Sequence, residues 1–289
     1  MSDLKALVAE EVSQPVHPQV RAMAQAIAQA HGAAARAVLF YGSCLREQQL
    51  EGLMLDFYLI VSDYRAAYDK AWLATANRLI PPNVFPFAYQ GLAAKYAVLS
   101  EADFQALNQP KARTVSVWAR FAQPTRLVWA ADETARDSAI TSIAAAAPTL
   151  FTLARPVAPS ADPLDIWREG FARTYQCELR AERTVRAGSI VDADEARYRR
   201  FGAAIPKETP MPRADATRRW AQLRRRGKRA SVFRLAKASL TFAGGIDYLA
   251  WKINRHAGTQ INITPWQRRH PIIAALFLVP RLLRQGAVR

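Results

Sequence analysis

The sequence predicts an α/β (α+β) fold. A mixed-sheet domain is expected over residues 1–131 and a mostly helical accessory domain over 132–205. A linker with a basic amphipathic C-terminal region is expected over 206–289. Three observations carry this. Short apolar runs of strand length alternate with helix-period stretches in the first 131 residues. Residues 132–200 lose the strand pattern and keep the helical one. The charge is also uneven: residues 1–211 hold 23 Lys/Arg against 22 Asp/Glu, whereas residues 212–289 hold 17 against 2.

Taken in order, "VHPQVRAMAQAIAQAHGAAARA" places Val20, Met23, Ile27 and Ala30 at helical spacing, ending near Gly32. "AVLFYGS" is a buried strand entering a tight turn, and "LMLDFYLIV" is a second strand. "SDYRAAYDKAWLATANRLI" is a helix, with Tyr64, Ala67, Tyr68, Ala71 and Trp72 on one face, stopped by "PPN". "LAAKYAVLS" and "RTVSVWARF" are expected as strands, and "QPTRLVWAA" closes the domain near residue 131. "ARDSAITSIAAAAPTLFTLA" lacks charge over 138–154 but is rich in Ala, Ser and Thr and broken by Pro148, which fits a packed helix better than a membrane span. "DPLDIWREGFARTYQCELRAERTVRAG" is a further helix. Three prolines within 206–212 mark the linker. No internal repeat is present.

The composition narrows the function classes. About half of the 289 residues are apolar, enough for a sizeable core and against global disorder. Two cysteines, Cys44 and Cys177, make no disulfide framework and fit a reducing compartment. The four histidines have no metal-ligand spacing. "MSDLKALVAEEV" carries acids where a signal peptide has a basic and then an apolar region, so a cytoplasmic location is expected. The net charge of +16, gathered at the C-terminal end, points to a polyanionic partner, either an anionic membrane or nucleic acid.

The stretch "VLFYGSCLREQQLEGLMLDFYLIV" holds the chemistry. Polymerase-beta-like nucleotidyltransferases share a strand, a Gly-Ser turn and a strand bearing acids. Glycine at 42 lets backbone N–H groups approach nucleotide phosphates, and Ser43 adds a hydroxyl. A carboxylate on the next strand, here Asp56, can hold Mg²⁺ against the phosphates. The usual second carboxylate at i+2 is replaced by Tyr58, which leaves Asp63, Asp69, Asp103 or Glu178 as alternatives. A structural Asp at a strand end is the other reading of Asp56. Lys95 stands in an otherwise apolar strand and either reaches solvent or faces a phosphate.

The chain also resembles the mitochondrial-type phosphatidate cytidylyltransferases (CDP-diacylglycerol synthases), a family with bacterial members. The matching residues are Tyr41-Gly42-Ser43, Gln48, Met54-Leu55-Asp56-Phe57 and Val61-Ser62-Asp63. They continue as "KYAVLS" at 95–100, "ARFAQP" with Arg120 and Pro124, and "TYQCELR" with Tyr175, Glu178 and Arg180. The order is kept over about 140 residues. The chain departs from the family at Cys44 and Cys177, where glycine is usual, and at Glu178, where Asp is usual. Tyr68-Asp69 stands in place of Trp-His, and nothing after about residue 205 matches.

The resemblance implies a nucleotidyltransferase-like mixed-sheet domain with Mg²⁺ as cofactor. It implies CTP and phosphatidic acid as substrates. Asp56 and Lys95 would be catalytic, with Asp56 the metal ligand. Gly42, Ser43, Gln48 and Arg120 would bind nucleotide, and Tyr175, Glu178 and Arg180 are further candidates. A lipid substrate requires an anionic membrane surface, so a peripheral position on the inner face of the cell membrane is expected. "RRWAQLRRRGKRASVFRLAK" sets Trp220, Leu223, Val232, Phe233 and Leu235 among nine Lys/Arg, and eight apolar residues lie between Pro271 and Pro280, too few to span. No recognised RNA-binding motif is present, which argues against nucleic acid. A nucleotidyltransferase that uses this tail to grip RNA is the alternative.

Overall fold

The computed structural model describes residues 2–46, 50, 52–178, 190–206, 211–241 and 264–266. Its centre is a five-stranded mixed sheet. The strands are β1 (Ala35–Tyr41), β2 (Met54–Val61), β3 (Asn83–Tyr89), β4 (Leu92–Ser100) and β5 (Thr125–Ala130), in the order β3-β4-β2-β1-β5. β2 and β4 run parallel, and the other neighbours pair antiparallel. The central strands are buried on both faces, which explains their almost unbroken apolar sequence.

One face packs beneath α2 (Pro18–Gln29), α3 (Tyr64–Ala67) and α4 (Ala71–Leu79). Val38, Phe40, Leu55, Phe57, Leu59, Tyr96 and Val98 meet Val20, Met23 and Ile27 there. α2 has Pro18 in its first turn, and the His17 side chain accepts a hydrogen bond from the Gln19 N–H. The other face packs against α1 (Ser2–Val12), α5 (Glu101–Leu107), α6 (Trp118–Phe121), α7 (Glu133–Ala144) and α8 (Ala146–Ala154). One cluster of buried side chains runs from Leu39 and Tyr58 on the sheet to Trp167, Phe171 and Tyr198 on α9 (Pro163–Cys177) and α10 (Glu195–Ala204). It continues to Trp220 and Leu223 on α11 (Arg213–Thr241). α7, α9 and α10 each begin at an aspartate, Asp132, Asp162 and Asp194, whose carboxylate accepts a backbone N–H.

A buried ion pair ties the chain's start to α10. Arg197 grips Glu11 bidentately, with one N–H···O contact at 3.0 Å, and its guanidinium lies 4.2 Å from the Phe201 ring centroid. Burial opposes the charge on Arg197, but its hydrogen bonds to Glu11 raise the pKa.

Several expectations are corrected. Residues 113–121 are not a strand: a turn leads into α6, and buried Val115, Trp118, Ala119 and Ala122 recur at helical spacing. Arg120 therefore sits on a helix. The helix expected over 62–80 is broken at 68–70 into α3 and α4. β3 was not expected at all. It carries Pro86, which an edge strand tolerates because its other side has no sheet partner to donate to.

The helical stretch Glu133–Val157 is long and apolar enough to cross a membrane by length and composition, yet 61% of its apolar window is buried within the protein. Trp220 and Leu223, expected among bilayer-facing residues, are buried in the core, and the Trp220 indole N–H donates to the Leu153 carbonyl at 2.9 Å. The apolar run between Pro271 and Pro280 lies outside the described residues.

Candidate active site

The sheet register assembles the site. Tyr41 on β1 pairs with Asp56 on β2, Asp56 with Lys95 on β4, and Lys95 with Pro86 on β3. Side chains in one such row point to the same face of the sheet. That is the face covered by α5–α11, and on it the helices leave a pocket of about 200 Å³, which Asp56 adjoins through Lys95 without itself lining it. The pocket is lined by Tyr41 and Lys95 from this row, and by Tyr58, Ala97 and Val84 from the next row along the strands.

Gly42 ends β1 in a left-handed conformation, φ +97°, and turns the chain back over the Asp56 carboxylate. A Cβ at position 42 would stand 3.3 Å from Asp56 Oδ2. Glycine is thus required twice, for its backbone angle and for its closeness to the carboxylate. Lys95 Nζ stands 3.2 Å from Asp56 Oδ1. The contact is an ion pair without hydrogen-bond alignment, and Oδ1 is buried with no hydrogen-bond donor. Both side chains keep about a quarter of their surface exposed.

Arg120 enters from α6 with its guanidinium 4.8 Å from the Tyr41 ring centroid, and its buried Nε has no hydrogen-bond partner. Burial works against its charge, but Tyr41, Tyr58, Glu178 and Asp56 around it raise its pKa, so it stays a cation. Burial, with Asp56 second, pushes the Tyr41 hydroxyl far up, so that it remains a neutral hydrogen-bonding group. Burial likewise raises Tyr58.

Of the alternatives for a second carboxylate, only Glu178 lines the pocket. Asp63 caps α3, accepting the Arg65 and Ala66 N–H groups. Asp103 accepts the Tyr64 hydroxyl, and Asp69 is exposed. Glu178 does not lie on the helix face expected for it. α9 ends at Cys177, and Glu178 follows in extended backbone, φ −116° and ψ 151°. Tyr175 packs at the edge of the core and is not among the pocket-lining residues. Gln48, Arg180 and the Ser43 side chain lie outside the described residues, although the Ser43 backbone starts the 3₁₀ turn Ser43–Arg46. Among the described residues no three His, Cys, Asp or Glu side chains gather as a metal site.

Two residues of the pocket were not foreseen. Arg234 and Lys237 reach it from the end of α11. Arg234 Nε donates to the Pro81 carbonyl at 2.9 Å. Lys237 Nζ donates to the Ile80 carbonyl and, at 2.8 Å, to that of Pro82. These carbonyls are held in place by Asn77, whose side-chain oxygen accepts the Asn83 N–H at 2.6 Å while its amide donates to Val98 at 3.0 Å. Burial, with Arg234 as the second cause, brings the Lys237 pKa down to about 7.

A sequence signal for both did exist. Ala216, Trp220, Leu223, Gly227, Ser231, Arg234 and Lys237 form one stripe at steps of three and four residues. The stripe turns from apolar to cationic where it reaches the pocket.

No family model matches the chain, and no curated protein matches it. Among solved structures the chain is similar to a nucleotidyltransferase-like protein from Exiguobacterium sibiricum 255-15, at 11% identity and a TM-score of 0.28 with 92% of each chain covered.

Proposed function

We propose that this pocket is the active site of a Mg²⁺-dependent nucleotidyltransferase, a phosphatidate cytidylyltransferase that transfers CMP from CTP to phosphatidic acid. The observation that carries the reading is the Gly42 turn folded over the Asp56 carboxylate, with Lys95 at its side. A turn without a Cβ next to a carboxylate and an ammonium suits a metal-bound triphosphate. Asp56 would hold the Mg²⁺, with Glu178, the carboxylate among the pocket-lining residues, as the further candidate ligand. Mg²⁺ takes its other ligands from phosphates and water, so one or two carboxylates suffice. When bound, the ion would neutralise charge on the phosphates.

The protein's own groups do the rest. Lys95 and Arg120 would neutralise the triphosphate, and the backbone at Gly42 would orient it. An oxygen of the acceptor's phosphate would form a bond to the α-phosphorus of CTP. The bond from that phosphorus to the bridging oxygen would break, and pyrophosphate would leave with the electron pair. The acceptor phosphate is already ionised near neutral pH, so no strong general base is required, and positioning and charge supply the catalysis.

The lipid part of the reading is supported by the surface beside the pocket. Phe233 is 58% exposed next to Arg234, and Arg224, Arg225, Arg226, Lys228 and Arg229 are exposed along the same helix. Apolar and basic side chains together suit an anionic bilayer, at about 1 kcal/mol per basic residue. The enzyme would then work on the cytoplasmic face of the membrane.

The test is pyrophosphate release from CTP and Mg²⁺, with and without a short-chain phosphatidate. Acceptor-dependent release is expected, and Asp56→Asn should reduce it by about a hundredfold or more. Release that requires RNA instead of phosphatidate would replace this reading with the RNA-directed one. No release with either acceptor would end both.

A further inference from the structure

We infer that Arg234 and Lys237 form a second anion site in the pocket, built for the phosphate monoester of the acceptor and separate from the triphosphate site at Gly42, Asp56, Lys95 and Arg120. The assignment rests on the nucleotidyl-transfer reading and adds residues that no motif marks.

Position separates the two sites. The row holding Tyr41, Asp56 and Lys95 lies next to the Gly42 turn. Tyr58, Ala97 and Val84 lie one row further from that turn, about 6.6 Å along the strands. Arg234 and Lys237 are anchored further still, on the carbonyls of residues 80–82 that lead into β3. They therefore stand at the end of the pocket remote from Gly42. The row of Tyr58, Ala97 and Val84 thus lies between these two cations and the row of Asp56 and Lys95.

Donor capacity is the second argument. Lys237 spends two hydrogen bonds on carbonyls and keeps a third donor, and Arg234 has donors beyond those given to Pro81 and Thr114. Burying these two cations side by side is costly, and Glu178, the carboxylate among the described lining residues, already stands beside Arg120. A phosphate monoester dianion supplies both the charge and the acceptors.

The experiment uses the full-length protein and the variants Arg234→Gln, Arg234→Lys and Lys237→Gln, each first checked by thermal melting. Inorganic phosphate, glycerol 3-phosphate and a short-chain phosphatidate are titrated calorimetrically, and CTP with Mg²⁺ is titrated separately. Arg234→Gln and Lys237→Gln should weaken phosphate-ligand binding tenfold or more, while CTP affinity stays within twofold. Arg234→Lys should recover most of the loss. Binding of all three ligands assigns the site to the phosphate group itself. Binding of phosphatidate alone adds the acyl chains to what it recognises. The proposal is overturned if the wild type binds none of the three, if the variants bind them as well as the wild type does, or if CTP affinity falls in parallel. If the wild type binds phosphate through these residues yet releases no pyrophosphate with any acceptor, the transfer reading fails and the anion site stands.

Discussion

Replacing Gly227 with alanine tests how the second wall of the pocket is held. The new Cβ would stand 2.2 Å from the Cys177 carbonyl oxygen and 3.2 Å from its carbon. Ordinary C···O contacts lie at about 3.3 Å or more, so α11 must retreat from α9 by about 1 Å. The obstacle is backbone and cannot rotate away. Overpacking of this kind costs about 1–3 kcal/mol, and the better helix propensity of alanine returns up to about 1 kcal/mol. A net loss of about 1–2 kcal/mol should lower the melting temperature by roughly 2–8 °C for a domain of this size.

The site should suffer more than the fold. Glu178 follows Cys177 directly, and Arg234 lies seven residues beyond Gly227, about 10 Å along the helix. Misplacement by about 1 Å can cost about a hundredfold in rate. Gly170→Ala is the control: its Cβ would meet Leu150 Cδ2 at 2.4 Å and Cγ at 2.8 Å, a buried core side chain that is not among the pocket-lining residues. It should lower the melting temperature and spare kcat/KM. Differential scanning calorimetry and pyrophosphate release measure both effects. A Gly227→Ala protein that melts no lower than wild type and keeps kcat/KM within twofold would refute the close backbone contact and the wall built on it.

Gly42→Ala should weaken CTP binding, because alanine at φ +97° carries about 1–3 kcal/mol of strain and crowds Asp56; calorimetric titration of CTP would show no change if the turn were ordinary. Lys95→Met should cost about 1.5–3 kcal/mol in kcat/KM for CTP, the worth of one charge-assisted contact, and unaltered kinetics would make Lys95 a structural partner of Asp56 alone. Arg197→Met strands Glu11 in the core and should destabilise by about 3–5 kcal/mol, whereas adding Glu11→Leu should restore much of the loss; a double variant as unstable as the single one would contradict the pairing. Lys237 is charged below a pKa of about 7 and loses its proton above it, so KM for the acceptor should rise as pH goes from 7 to 9, while the acceptor phosphate, a dianion above about pH 6, changes little. Lys237→Arg should flatten that profile, and a wild-type profile already flat would remove Lys237 from the site.

Sequence and structure agree where the determinants are local. β1, β2 and β4 announce themselves by apolar runs of strand length, and Gly42, Asp56 and Lys95 are legible because a turn, a strand and a lone charge in an apolar run each have a direct physical meaning. β3 escapes because Pro86 and the preceding "PPN" look like the end of regular structure, and edge position is a property of the sheet. Residues 113–121 mislead because the alternation in "TVSVWA" imitates a strand, while the helical layer above the sheet decides their burial. Arg234 and Lys237 could not be placed because Lys237 meets a carbonyl 157 residues earlier. The stripe on α11 is visible in the sequence, but an amphipathic stripe does not say whether it meets a bilayer or a protein core.

The grip between Glu11 and Arg197 has a meaning for synthesis. α1 leaves the ribosome well before Arg197, so its buried carboxylate meets its partner only 186 residues later. At about 5–20 residues per second, Glu11 waits roughly 10–40 seconds for Arg197, while β5 and α7, which also pack against α1, emerge sooner. The nascent chain therefore carries an unpaired carboxylate on α1 until α10 has emerged, and α1 is a natural handle for a chaperone over that interval.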